Sequence, residues 1–200
     1  MALGAKYKAS WTQIYDTDAL LERFTKKIKS GAGKEGSALI VDVGGSHGND
    51  LESLRDKYKD RGDVFNRGSL ILQDREEVLA SAKLDINEGG VIRAMPHDFF
   101  TPQPVKGAAA YYLHIVLHDW PDAECLIILS HLREAMEPGY SRMLIHDTIV
   151  ASRAPSMAVT RTDLAMLLLS SRERTEELWT DLLDKAELRI VRIWTSIESH

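Results

Sequence analysis

Residues 38–49, Ala-Leu-Ile-Val-Asp-Val-Gly-Gly-Ser-His-Gly-Asn, constrain the fold more than any other stretch of the chain. An apolar run of strand length meets an acid, Asp42, and opens at Gly44, Gly45 and Gly48. Leu51, Leu54 and Tyr58 then mark one face of a helix. A strand apolar on both faces belongs inside a sheet covered on both sides. Glycines after it let a ligand lie against bare backbone, where amide N–H groups become donors. The same punctuation recurs. Strands are predicted at 69–73, 91–94, 108–114, 142–148 and 189–195, and polar residues close the first three: Asp74, then His97-Asp98, then His118-Asp119-Trp120. Alternating strands and helices predict an α/β, Rossmann-like doubly wound, mostly parallel sheet, whose ligands bind outside the carboxyl ends of the strands.

The intervening segments read as helices. Leu20, Phe24 and Ile28 recur at four-residue spacing within 16–30, after an irregular lead-in at 1–15. Residues 121–136 carry Cys125, Ile128, Leu129, Leu132 and Met136 on one stripe; Pro121 suits the first turn, and Glu137-Pro138-Gly139 stops the helix. Thr175 reads as a cap, with Glu176 and Glu177 just inside a helix that runs to Ala186. Glu187 then stands where a helix-ending glycine is preferred. The chain divides into a lead-in and helix at 1–37 and a ligand-binding domain at 38–200.

Composition narrows the function classes. A net charge of −5 over 200 residues argues against a nucleic-acid surface. The densest basic run, Lys26-Lys27-Ile28-Lys29, reads as a solvated helix end. One cysteine, Cys125, leaves no intrachain disulfide and suits a reducing compartment. No segment reaches the ~18 apolar residues of a membrane span, so the expectation is a cytoplasmic protein.

Spacing in the glycine turn selects the ligand. Gly44-Gly45-Ser46-His47-Gly48 misses the G-x-G-x-x-G cradle of a dinucleotide. Asp42 would repel a phosphate and suits an amino or hydroxyl group, so a nucleoside carrying an amino acid fits better. Asp74 is placed to accept two ribose hydroxyls. Asp98 offers an acceptor for an exocyclic amine, and Phe99 an aromatic wall for a purine.

From Ala38 onward the chain resembles the S-adenosylmethionine-dependent small-molecule O-methyltransferases of the caffeic-acid and flavonoid type, particularly their fungal secondary-metabolism relatives. The words that carry the resemblance, in order, are Val41-Asp42-Val43-Gly44-Gly45, Leu70-Ile71-Leu72-Gln73-Asp74, His97-Asp98-Phe99-Phe100, Leu117-His118-Asp119-Trp120-Pro121-Asp122, Met136-Glu137-Pro138-Gly139 and Arg172-Glu173-Arg174-Thr175. The resemblance implies a class I methyltransferase fold, with the last antiparallel strand of the family expected to be lacking here. It implies S-adenosyl-L-methionine held by Gly44, Asp74, Asp98 and Phe99, beside the Asp42, Gly45 and Gly48 of the same turn. It also implies His118 as general base, flanked by Asp147 and Glu173. The family often has a further glycine where Ser46 stands, and a lysine contacting the cofactor where His114 stands. Its N-terminal helical domain, which makes a dimer and closes part of the acceptor pocket, is far larger than residues 1–37. A homodimer or a partner chain could supply that domain.

The residues support such chemistry independently. A phenol loses its proton as it attacks a sulfonium methyl, and a neutral imidazole accepts that proton within hydrogen-bond distance. The reaction expected is methyl transfer to a hydroxyl of an aromatic or polyketide-like small molecule, without a catalytic metal. The alternative is a non-methylating relative: a cofactor-binding subunit, or a catalyst of dehydration or pericyclic rearrangement. A metal site built on His114, His118 and Asp119 is disfavoured, because a strand would occupy most of that interval and no third ligand converges.

Overall fold

The computed structural model describes residues 10–31, 37–61, 65, 68–82, 90–150 and 174–194. Along the chain run α1 (Trp11–Ile14), α2 (Thr17–Lys29), β1 (Ile40–Val43), α3 (Asn49–Tyr58), β2 (Leu70–Asp74), α4 (Glu76–Ser81), β3 (Ile92–Pro96) and β4 (Ala110–His114). After a 3₁₀ turn at Leu117–Asp119 come α5 (Asp122–Ala135), β5 (Arg142–His146), β6 (Ile149–Val150), β7 (Arg174–Thr175) and α6 (Glu176–Lys185). Five strands form one parallel sheet in the order β3-β2-β1-β4-β5, and β6 pairs with β7 in a second, also parallel. Strand order reverses between β1 and β4, which opens a crevice at their carboxyl ends.

Alternation along each strand assigns side chains to two apolar layers. On one face Val41, Val43, Ile71, Tyr111 and Leu113 pack with Cys125, Ile128, Leu129 and Leu132 of α5 and Trp179, Leu182 and Leu183 of α6. On the other, Leu39, Ile40, Leu70, Leu72, Ala110 and Tyr112 pack with Leu20, Leu21 and Phe24 of α2 and Leu51, Leu54 and Tyr58 of α3. Cys125 is a small core residue, and burial pushes its thiol up to about 11. Asp16 caps α2 by accepting the Ala19 amide at 3.0 Å, and Thr175 Oγ1 caps α6 by accepting that of Leu178 at 3.3 Å.

Four expectations need correction. The lead-in is not irregular throughout: α1 forms, and Trp11 stacks on Tyr112 at 4.7 Å while its indole N–H donates to the Asp50 carbonyl at 3.1 Å. The basic run is not wholly solvated. Lys27 lies over the Tyr140 ring at 3.8 Å and pairs with Glu137, which ties α2 to the turn before β5. The strand expected at 142–148 stops at His146 because the Asp147 carboxylate accepts the Thr148 amide at 2.8 Å, a local bond that competes with ladder pairing. Residues 189–194 form no strand, and Thr195 lies outside the described residues. There the chain turns aside so that Trp194 meets Tyr15 edge-on at 5.0 Å, leaving Val191 70% exposed. Among the described residues no helix is long and apolar enough to cross a membrane.

Candidate functional site

The glycine turn departs from expectation in its donors. The Gly44 and Gly45 amides both donate to the Gln73 carbonyl, at 2.9 and 3.0 Å, and the Gly48 amide donates to that of Gly45 at 2.9 Å. The Ser46 amide goes to Asp74 Oδ2 at 2.8 Å. The amides of Gly44, Gly45, Ser46 and Gly48 are therefore engaged within the protein, and the glycines admit neighbouring side chains. Gly44 has φ +71°, and a Cβ there would sit 3.1 Å from Val116 Cγ2 and 3.5 Å from Phe99 Cε1. A Cβ on Gly45 would lie 2.5 Å from both Asp42 Oδ2 and Leu72 Cδ1, so that glycine makes space for the Asp42 carboxylate.

The acids occupy three different environments. Asp42 has no exposed surface, and among the described residues neither of its carboxylate oxygens has a hydrogen-bond partner. Burial first, then the charges of Asp50 and Asp74, hold its carboxyl well above the usual range. Asp74, ending β2, accepts the Ser46 and Arg75 amides, each at 2.8 Å. Asp98 is exposed and accepts the Phe100 amide at 3.0 Å, which fixes the turn carrying Phe99. Phe99 is half-buried, edge-on to Phe100 at 5.0 Å and to Trp120 at 6.0 Å. Asp42, Gly44, Gly45, Gly48, Asp74, Asp98 and Phe99 thus gather at one sheet edge, with Gly48 in left-handed backbone at the start of α3.

His114 ends β4 opposite His146 of β5, and their rings stack at 4.0 Å and 4°. His114 Nδ1 lies 2.6 Å from Asp50 Oδ2, and the Tyr112 hydroxyl lies 2.8 Å from His146 Nδ1. Between His114 and Val116, Ile115 adopts φ +55°, strained for a β-branched residue, with its amide donating to the His146 carbonyl at 3.0 Å.

His118 lies in the 3₁₀ turn and is buried. Its Nε2 is 3.0 Å from Asp119 Oδ1 and its Nδ1 is 3.6 Å from Asp147 Oδ1. The Asp147 side chain is only 3% exposed. Burial raises its carboxyl, against the lowering effects of the Thr148 amide, the His118 ring and amide, and the Arg174 charge. The Asp147 oxygen stands beyond hydrogen-bond distance of Nδ1, and the near carboxylate is that of Asp119 at Nε2. Glu173 lies outside the described residues. Among those described, no cluster of three metal-ligating side chains occurs.

Sequence reasoning passed over Asp50, Tyr112, His146 and Arg174. Asp50 and His146 carried a signal: one opens the helix after the glycine turn, the other ends a parallel strand. Arg174 carried only its place in the Arg172-Glu173-Arg174-Thr175 word, and nothing in the spacing shows that its side chain runs inward.

Residues 17–189 match the family model for the O-methyltransferase domain. The chain is 42% identical over 195 residues to the O-methyltransferase ATR12 of Stachybotrys chlorohalonatus, covering 97% of this chain and 46% of that protein. Among solved structures, one of LepI in complex with SAM matches with a TM-score of 0.80 and 32% identity, covering 94% of this chain and 45% of that one. OxaC in complex with SAH and oxaline matches with a TM-score of 0.75 and 34% identity, covering 89% of this chain and 43% of that one. The chain spans about half the length of the proteins it matches.

Proposed function

The chain belongs to the O-methyltransferase domain family, and from that premise we propose that it binds S-adenosyl-L-methionine at the carboxyl edge of its sheet and transfers the methyl group to a hydroxyl of an aromatic or polyketide-like small molecule. In this reading residues 38–200 carry the catalytic domain, with α2 covering one face of its sheet. The observation that supports it best is the close approach of Phe99 and Val116 to the bare backbone of Gly44, with the imidazole of His118 two residues beyond Val116.

The residues present suit the cofactor. Asp42 is buried, with both carboxyl oxygens lacking a hydrogen-bond partner among the described residues, and the neighbouring charges of Asp50 and Asp74 favour an ammonium or sulfonium group. When bound, S-adenosyl-L-methionine supplies an electrophilic methyl on a positively charged sulfur. Asp74 would receive the ribose hydroxyls, Asp98 and Phe99 the base, and His114 the amino-acid end. His118 Nε2 would take the proton of the acceptor hydroxyl, and the cofactor, when held there, would give up its methyl group to the acceptor oxygen with cleavage of the sulfur–methyl bond and leave as S-adenosylhomocysteine. Asp147 holds the opposite ring nitrogen and steadies the imidazolium, a role shared with Glu173, while Asp119 yields its place at Nε2 to the acceptor hydroxyl. Orientation and proton removal are the protein's contribution.

Calorimetry with S-adenosylhomocysteine, followed by a screen of phenolic acceptors, tests both halves. The expected result is cofactor binding in wild type and His118→Ala alike, with turnover in the variant reduced about 10²–10⁴-fold. No binding to wild type overturns the cofactor reading; equal turnover in the variant overturns the base. Similarity to a solved structure named A Pericyclic Reaction enzyme, with a TM-score of 0.80 and 31% identity, favours a second reading. Products of unchanged mass from a cofactor-loaded protein would select it. Completion of the acceptor pocket by a homodimer or a partner chain belongs with these proposals, and light scattering of the purified protein addresses it.

A further inference from the structure

Arg174 is 1% exposed, and each of its three guanidinium nitrogens donates a hydrogen bond. Nε and Nη2 donate to Asp122 Oδ1 at 3.1 and 2.8 Å. Nη1 donates to the Leu117 carbonyl at 3.0 Å, and Nη2 to the Trp120 carbonyl at 2.9 Å and to Cys125 Sγ at 3.4 Å. Leu117 and Trp120 flank His118-Asp119, so one rigid fork grips the histidine turn on both sides. Cys125 reinforces the grip by donating to the same two carbonyls, at 3.2 and 3.3 Å.

The same residue is stitched to the other half of the proton-accepting pair. In β7 its backbone pairs with Ile149 of β6, two residues beyond Asp147. Its guanidinium lies 5.1 Å from the ring of Trp179, whose indole N–H donates to the Thr148 carbonyl at 3.1 Å. The backbone on either side of His118 and the backbone just after Asp147 therefore meet at a single residue.

We propose that Arg174 is a positioning residue that sets the His118–Asp147 geometry for proton removal. The inference rests on the proposed methyl transfer. A buried guanidinium is costly to desolvate, and a hydrophobic residue of similar volume would serve stability as well. What only the planar fork supplies is two carbonyls and one carboxylate held in fixed relation. Lysine brings the charge but not that geometry.

The test compares Arg174→Lys with wild type in three measurements. Affinity for S-adenosylhomocysteine should stay within about twofold, because the glycine turn is untouched, while kcat for a phenolic acceptor falls about 100-fold with little change in its KM. Two-bond ¹H–¹⁵N correlation spectra of His118 should show one tautomer in the wild type and an averaged pair in the variant, a signature that simple loss of stability does not produce. Asp122→Asn, at the outer end of the fork, guards against misfolding of the lysine variant and should lower kcat about 10-fold. An unchanged His118 spectrum in a folded variant, or a loss of kcat matched by an equal loss of cofactor affinity, overturns the proposal. A wild type that transfers no methyl group refutes the proposed function, and the His118 spectra still decide the role of Arg174.

Discussion

Asp42 is held where its ionisation opposes folding. Burial and two neighbouring acids raise its carboxyl in the folded chain, so the native state binds that proton more tightly than the unfolded one. The contribution to stability then falls as pH rises from the unfolded value, about 3.9, through the raised folded value. Asp42→Asn removes this slope. Its melting temperature without cofactor should exceed that of wild type at pH 8, and the gap should close as pH falls toward 4. Thermal melts across pH check the sign, and calorimetry should show at least about tenfold weaker binding of S-adenosylhomocysteine. A variant no more stable than wild type at pH 8 would refute this account. The sequence revealed this acid because it interrupts an apolar strand before glycines. It did not reveal that Gly45 exists to admit the carboxylate, because that contact crosses from the turn back onto its own strand. Ile115 was equally opaque: its strain comes from tertiary placement, and its side chain carries no turn signature.

At the scale of elements, α6 ends on a residue its conformation penalises. Glu187 adopts φ +57°, and the Leu188 amide donates to the Leu183 carbonyl at 2.8 Å, the closing bond of a left-handed helix end. Glu187→Gly should stabilise the protein by about 0.5–1 kcal/mol, raising the melting temperature by about 1–4 °C. The exposed ion pair with Arg133 that the change removes is worth less. An unchanged or lower melting temperature would mean that the pair outweighs the strain. This position was legible beforehand because helix caps are written locally, as with Asp16 and Thr175. The extent of β5 and the missing strand at 189–194 were not, because apolar alternation permits pairing without supplying a neighbour.

For the whole molecule, the sheet separates two apolar layers, and Phe24 and Leu129 lie in opposite ones. Phe24→Ala should cost about 3–5 kcal/mol and Leu129→Ala about 2–5 kcal/mol. The double variant should equal their sum within about 0.5 kcal/mol, as urea denaturation would show. Clear non-additivity would mean that strain passes through the strands. The parallel architecture and the gathering of polar strand ends were legible in the chain because both follow from the order of apolar runs and glycines. The assignment of helices to layers was not, since α2 and α5 carry similar stripes. The five-stranded partition has an evolutionary corollary. His118, Phe99 and Trp120 border the α5–α6 layer, whereas His114, His146 and Tyr112 border the α2–α3 layer. Substitutions confined to one layer can therefore reshape its side of the sheet edge while the opposite layer stays packed, and lineages can diverge there without refounding the fold.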